Sequence, residues 1–233
     1  MRPIDFSAFD ALTFDCYGTL IDWEAGILAA LRPVIQADVG DEALLEAFAR
    51  YEAAFEAGPY LQYKDVLAGC LDKLGEELAF TPTAAERDTF GHSVKDWPVF
   101  PDSPEALAKL KQRFKLGVIT NCDDDLFAAS NARLKVEFDW IVTAEQARGY
   151  KPRTENFEFA FARIDVPRER ILHVAQSLFH DHVPAKALGM TTVWIDRRQG
   201  RAGTGATPPA EATPDLAVGD LRRFAELATG QEA

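Results

Sequence analysis

Positive charge is in short supply in this sequence: 25 Lys and Arg stand against 37 Asp and Glu, a formal net charge of −12 at pH 7. Such a field repels nucleic-acid phosphates and anionic membrane surfaces at long range, so neither is expected as a partner. A small anionic substrate remains open, because a cleft carries its own local charge. Cysteine is scarce as well. Cys16, Cys70 and Cys122 are an odd number at unrelated spacings, which argues against a disulfide framework or a zinc ribbon and suits a reducing compartment. No apolar run reaches the roughly 18 residues of a membrane span. Met1–Asp10 carries Arg2, Asp5 and Asp10 without the apolar stretch of a secretion signal. A soluble, cytoplasmic protein is the expectation.

The 233 residues are 47% hydrophobic and 27% charged, a globular composition with length enough for a sizeable core, which excludes a disordered or collagen-like chain. Ala11-Leu12-Thr13-Phe14 is a short apolar run that ends at Asp15 and meets Gly18-Thr19, the pattern of a buried strand entering a turn. From Glu24 to about residue 94 the texture turns Ala-, Leu- and Glu-rich with helical spacing, broken at Gly58-Pro59 and Thr81-Pro82. A helix holding Leu107, Leu110 and Phe114 is expected next, capped by Ser103 or Asp102, and further apolar runs follow at Leu116–Thr120, Trp140–Thr143, Ile171–Ala175 and Thr192–Ile195, each separated from the next by a helical segment. Alternating strands and helices predict a Rossmann-like α/β core with a parallel sheet, whose ligands bind beyond the carboxyl ends of the strands. The expected division is a core of residues 1–23 and 95–233 and an inserted helical domain of residues 24–94. Residues 197–215 read as a flexible loop, and the end from Gly230 as frayed.

The strand ends gather chemistry. In order they carry Asp15-Cys16-Tyr17-Gly18-Thr19, Thr120-Asn121, Lys151, and Gln176-Ser177 with Asp181. A carboxylate attacks an electrophilic carbon or phosphorus to form an ester-type intermediate, which splits one hard displacement into two easier ones. A cation within about 4–6 Å lowers a carboxylate pKa by roughly 1–3, so Lys151 is expected to hold Asp15 ionised, with Thr120 and Asn121 as hydrogen-bond donors nearby.

These residues, Phe14-Asp15-Cys16-Tyr17-Gly18-Thr19-Leu20-Ile21-Asp22, then Val118-Ile119-Thr120-Asn121, Tyr150-Lys151-Pro152, and His173-Val174-Ala175-Gln176-Ser177 through Asp181, resemble the haloacid dehalogenase superfamily. The resemblance spans about Ala11 to Ile195 and implies a helical cap inserted after the first strand. Superfamily phosphatases carry an Asp two residues after the nucleophile as general acid and base, and a Gly-Asp-Ser in the fourth motif that helps hold magnesium. Here Tyr17 and Ala175-Gln176-Ser177 stand instead. A phenol of pKa about 10 is poorly matched to a proton shuttle at neutral pH, and Gln176 offers no anionic oxygen to a hard cation.

The sequence is therefore closest to the type II 2-haloacid dehalogenase branch, which implies hydrolytic removal of halide from a small 2-haloalkanoic acid through an aspartyl ester, with no metal or other cofactor. By this resemblance Asp15 is the nucleophile, Thr19 and Thr120 support it, Asn121 contacts substrate or halide, Lys151 is the charge partner, and Asp181 orients or activates water. Tyr17, Cys16, Gln176, Ser177, Tyr63 and Trp97 are the candidate substrate-binding residues, although alternation along a strand turns Cys16 away from Asp15. Two departures stand out. No Arg aligns with the one that these dehalogenases place near the leaving halide, with Arg32 and Arg50 the candidates, and Phe157 replaces a Tyr. The alternatives are a magnesium-dependent phosphomonoester phosphatase and a catalytically silent metabolite-binding member. His180-Asp181-His182 has metal-like spelling, but residues i and i+2 on a helix diverge; Asp123-Asp124-Asp125 reads as the acidic first turn of a helix. A homodimer is permitted but not required.

Overall fold

The structure, a computed structural model, describes residues 4–230; the readings of Met1–Pro3 and Gln231–Ala233 lie outside the described residues. Six parallel strands, β1 (Ala11–Phe14), β2 (Lys115–Thr120), β3 (Trp140–Thr143), β4 (Ile171–Ala175), β5 (Thr191–Ile195) and β6 (Leu216–Val218), form one sheet in the order β3-β2-β1-β4-β5-β6. The fold is α/β, as the alternation of runs requires. β6 adds to the expected strands. β1 pairs with β2 on one side and β4 on the other, so the chain reverses its direction of growth at β1. That is the switch point beyond which an open parallel sheet leaves a crevice.

Successive residues of a strand face opposite sides, and the core divides accordingly. Leu12, Phe14, Leu116, Val118, Leu172 and Val174 face one side with Leu107, Phe127 and Phe224, from α5 (Ser103–Lys111), α6 (Asp124–Leu134) and α10 (Leu221–Thr229). Ala11, Ile119 and Ile171 face the other with Phe157, Ala160 and Ala185, from α8 (Glu155–Phe161) and α9 (Val183–Ala187), while the short α7 (Ala144–Ala147) follows β3.

Between β1 and α5 lie α1 (Trp23–Leu31), α2 (Asp41–Glu56), α3 (Tyr63–Leu78), α4 (Ala84–Gly91) and a 3-10 turn, Ser93–Asp96. Their apolar faces join the core on the β1 side without a break: Leu45, Phe48, Tyr63, Leu67 and Phe90 belong to the same buried cluster as Phe14 and Val118. Asp102 precedes α5 but does not cap it with its side chain. Its carboxylate accepts from Leu221 N at the start of α10 and from Arg197. Residues 197–215 are largely irregular but tied down, since Arg198 pairs with Glu24 and Glu42, and Gly205 N and Ala206 N donate to the same two carboxylates. Among the described residues no helix is long and apolar enough to cross a membrane.

Candidate active site

β1 runs out at Phe14, and the next residues turn back sharply: Leu20 N and Ile21 N both donate to Cys16 O. Gly18 sits in this turn with φ +92°, where a Cβ would meet Gln176 Oε1 at 3.0 Å and Trp23 Nε1 at 3.1 Å, so glycine is required both by conformation and by space. The turn folds Thr19 back over Asp15. Thr19 Oγ1 donates to Asp15 Oδ2 at 2.7 Å and accepts from Gln176 N at 2.9 Å, which fastens the turn to the end of β4.

Lys151 arrives from the segment between α7 and α8. Its backbone is clamped by the Asn121 amide: Lys151 N donates to Asn121 Oδ1 at 2.8 Å, and Asn121 Nδ2 donates to Lys151 O at 2.9 Å. Its Nζ donates to Asp15 Oδ1 (2.9 Å), Asp181 Oδ1 (2.7 Å) and Ile119 O (2.8 Å), which uses all three protons of the ammonium. Behind it, His173 Nε2 lies 3.0 Å from the same Asp181 oxygen and His173 Nδ1 3.0 Å from Thr13 Oγ1. Lys151 is 1% exposed and Asp181 fully buried. Buried charges persist when paired and hydrogen-bonded in this way.

The ammonium does not serve its two acids equally. Burial pushes the Asp15 carboxyl above its ordinary value, and Asp181 adds to that against the pull of Lys151. Burial also opposes Asp181, yet Lys151 and His173 hold it below the usual carboxylate range. Lys151 thus pulls the Asp15 pKa down as expected, but burial and Asp181 outweigh that pull, so the net shift is upward and the expected net depression is corrected.

Asp15 borders a cavity of about 20 Å³, room for about one water. Tyr17, Tyr63, Asn121, Ser177, Lys151 and Asp181 line it too. The Tyr17 hydroxyl is taken up by Ser130 Oγ at 3.1 Å and by the Cys122 thiol at 3.4 Å, and burial drives its pKa well up. Four other candidates lie elsewhere. Cys16 is fully buried in the core cluster, as strand alternation requires. Trp97 packs edge-on to Tyr17 at 5.6 Å and faces a groove beside α1 and α4. Gln176 turns its side chain towards Gly18 and Thr207, and its backbone C=O accepts from Trp194 Nε1. Thr120 Oγ1 is buried without a hydrogen-bond partner among the described residues, so it does not bond to Asp15.

Four lining residues were not among the candidates read from the sequence, one of them Trp23 at the start of α1. Glu52 and Glu56, both on α2, and His180 face the same cavity. Tyr63 OH donates to Glu52 Oε1 at 2.5 Å, Asn121 Nδ2 lies 3.2 Å from both Glu56 oxygens, and His180 Nε2 is 3.5 Å from Glu56 Oε2. Burial pushes Glu52 up to about 8, Glu56 well up with the help of Glu52, and His180 down to about 4. The signal for the two acids is present in the chain: Leu45, Phe48, Ala49, Glu52 and Glu56 fall on one helical stripe and are all buried, and an acid on an apolar stripe calls for a reason. His180 and His182 diverge, the latter bonding Ala175 O at 3.0 Å, from a π-helical turn at Leu178–His182. Asp124 and Asp125 open α6, whereas the Asp123 carboxylate accepts from Tyr63 N and Lys64 N at the start of α3.

The magnesium that the phosphatase alternative requires does not fit these residues. Asp15 Oδ1 and Asp181 Oδ1 already share the Lys151 ammonium and Asp15 Oδ2 takes the Thr19 hydroxyl, the fourth-motif position that would need an acid is Gln176 turned elsewhere, and among the described residues no group of His, Cys, Asp and Glu is arranged to hold a metal. Neither arginine candidate for the halide side lines the cavity: Arg32 pairs with Asp41 and Arg50 with Glu77.

The sequence model described as haloacid dehalogenase-like hydrolase matches residues 9–187. The chain is 25% identical to haloacetate dehalogenase H-2 of a Moraxella species, over 81% of this chain and 86% of that one. It is 28% identical to phosphoserine phosphatase of Thermus thermophilus, over 79% and 74%. In fold it is similar to the L-2-haloacid dehalogenase of Xanthobacter autotrophicus, solved with chloropropionic acid covalently bound, at a TM-score of 0.79 and 20% identity over 96% of this chain and all of that one. A strand-end carboxylate held by a threonine and a lysine, on a sheet of this order and with this family match, makes the chain a member of the haloacid dehalogenase-like hydrolases.

Proposed function

We propose that this hydrolase removes halide from a small 2-haloalkanoic acid, or a derivative of one, through an ester on Asp15. An Asp15 oxygen attacks C2 from the side opposite the halide; the new C–O bond forms as the carbon–halogen bond breaks and halide leaves with its electron pair. Water then adds to the Asp15 ester carbonyl, the bond from Cγ to the substrate oxygen breaks, and the 2-hydroxy product leaves with one of the water protons. The other proton is released as Asp15 returns to carboxylate. Thr19 and Lys151 fix the attacking group, and burial strips it of water, which favours attack by a charged nucleophile. Helices α1–α4 act as the cap that closes over it.

The observation that carries the reading is the environment of Asp15: a carboxylate bonded at one oxygen by Thr19 and at the other by Lys151, beside a Tyr17 hydroxyl tied into the core where a phosphatase needs a free acid. The test is halide release from a panel of 2-halo acids and their derivatives, with EDTA and with added magnesium, alongside phosphate release from a generic phosphomonoester. EDTA-insensitive halide release, lost in Asp15→Asn by at least about 10⁴-fold, is expected. Magnesium-dependent phosphate release without halide release would sink the reading in favour of a phosphatase.

A further inference from the structure

Among the described residues Lys151 is the one Lys or Arg that lines the cavity beside Asp15, and its ammonium gives its three protons to Asp15, Asp181 and Ile119 O. A ligand in the cavity therefore draws its hydrogen bonds from the other wall, where Glu52, Glu56 and His180 stand. Two atoms of that wall lack a protein partner. Glu52 Oε2 and His180 Nε2 are buried without a hydrogen bond among the described residues, and buried polar groups left unpaired in a pocket mark the place where a ligand completes them.

Both atoms are donors. Burial raises the Glu52 carboxyl to about 8, so at neutral pH it carries a proton. Its Oε1 accepts from Tyr63 OH at 2.5 Å, the part of a carbonyl oxygen, which leaves the O–H on Oε2 for the cavity; an acid kept neutral by its surroundings donates in this way. The imidazole tautomer follows from the network around Ser177. Ser177 Oγ accepts from His180 N at 2.9 Å, and its own proton has one acceptor among the described residues, His180 Nδ1 at 3.1 Å, which places the ring proton on Nε2. Burial holds His180 down to about 4, so the ring is neutral. Glu56, raised well up by burial and by Glu52, is an uncharged acid as well.

We infer that Glu52 and His180 hold the carboxylate of the substrate, each through one uncharged donor, in a pocket that has no cation to spare for it. Hydrogen bonds to an ionised acceptor are roughly twice as strong as neutral ones and gain further where water is excluded. The inference rests on the aspartyl ester reading for the role of that carboxylate as the substrate head group, and goes beyond it in naming the residues that bind it. With the cavity at about 20 Å³, substrate enters as α2 and α3 move away from Asp15, and the two donors close on it. Binding then requires the Glu52 proton, because an ionised Glu52 meets the carboxylate as a like charge. The other titratable groups facing Glu52 behave differently at mildly alkaline pH. Burial raises Tyr63 and Cys70 on α3 and Tyr17 beyond β1 well up. Asp181 is ionised, and Asp15 and Asp181 keep Lys151 charged against burial. Asp15 and Glu56 are raised by burial as Glu52 is, and Glu52→Gln separates its titration from theirs.

The experiment measures binding of propionate, which has the carboxylate and no leaving group, to the full chain by calorimetry from pH 7 to pH 9.5, with halide release from 2-chloropropionate followed in parallel. The wild-type Kd is expected to rise by at least about tenfold over that range. Glu52→Gln, which keeps a donor and cannot ionise, is expected to flatten the rise to less than about threefold, and Glu52→Leu to weaken binding at pH 7 by about tenfold or more, each checked for folding by its thermal melt. A flat wild-type Kd, an unchanged rise in folded Glu52→Gln, or wild-type affinity in folded Glu52→Leu overturns the inference. Halide release without propionate binding also overturns it and leaves the aspartyl ester intact. Propionate bound with the expected pH dependence but no halide release overturns the ester reading and not the carboxylate site, and absence of both overturns both.

Discussion

Lys151 reaches Asp15 across 136 residues of chain, and their side chains meet 2.9 Å apart in the interior. The contact is also the joint of the site, because the same ammonium holds Asp181. Replacing Lys151 by Met leaves two buried carboxylates facing each other without a counter-ion. Loss of one partner from a buried pair costs about 3–5 kcal/mol, so urea unfolding of Lys151→Met is expected to shift by that amount. Halide release is expected to fall by about 10²–10³-fold or more, as when a preorganised charge is removed from a site.

The raised pKa of Asp15 sets the acid limb of the pH profile. The attacking carboxylate must be ionised, and burial lifts its pKa above the ordinary range. Turnover is expected to rise with pH through a midpoint above about 4, the usual value for an aspartate. A midpoint at or below that value, measured as kcat/KM against pH, would contradict the raised carboxyl.

Stability runs the other way with Glu52. Its folded pKa of about 8 exceeds the unfolded value of about 4.3, so the folded chain binds the proton more tightly. Its contribution is fully present below the unfolded pKa and is lost as pH rises through about 8. Asp181 has the opposite sign: its depressed pKa contributes above the unfolded value and is lost as pH falls. Melting temperatures of wild type should decline from pH 5 to 8, and Glu52→Gln should flatten that decline.

Tyr17→Phe separates a structural hydroxyl from a catalytic one. The phenol bonds Ser130 and Cys122 in the core, so its removal is expected to cost about 1 kcal/mol of stability, the usual worth of a buried hydrogen bond. Halide release should change by less than about twofold, well short of the roughly 10²–10⁴-fold that a general acid or base supplies. A loss of that larger size would place the phenol in the chemistry.

Asp123 ties α3 to the core by accepting from Tyr63 N and Lys64 N, where an anion also meets the positive end of the helix. Asp123→Ala is expected to cost about 0.5–2 kcal/mol, as loss of a capping acceptor does. Because α3 carries Tyr63 to the cavity, KM should rise more than kcat falls. Equal effects on both would mean that α3 stays in place without the cap.

The nucleophile, its threonine and its lysine are legible because each sits at a break in a pattern: an acid ending an apolar run, a threonine after a glycine turn, a lysine before a proline. Glu52 and Glu56 are legible in the same way, as acids on the buried stripe of α2, but only when helical spacing is followed into the inserted stretch. Trp97 and Gln176 are not. Nothing in their neighbours tells which wall of a turn or groove they face, and packing sends Trp97 against Tyr17 and Gln176 behind Gly18. β6 is equally hard to see, since three partly exposed residues carry too little periodicity.

What the sequence determined by itself is the α/β alternation, the placement of Asp15 at a strand end and the overall acidity, because strand and helix periods and composition are local properties of the chain. What the tertiary structure decided is who shares the ammonium. Asp15 and Asp181 compete for Lys151, Asn121 rather than Thr120 braces it, and α2 brings two further carboxyls to the same cavity. Charge in a buried site depends on distance and desolvation together, and both exist only once strands far apart in the chain lie side by side.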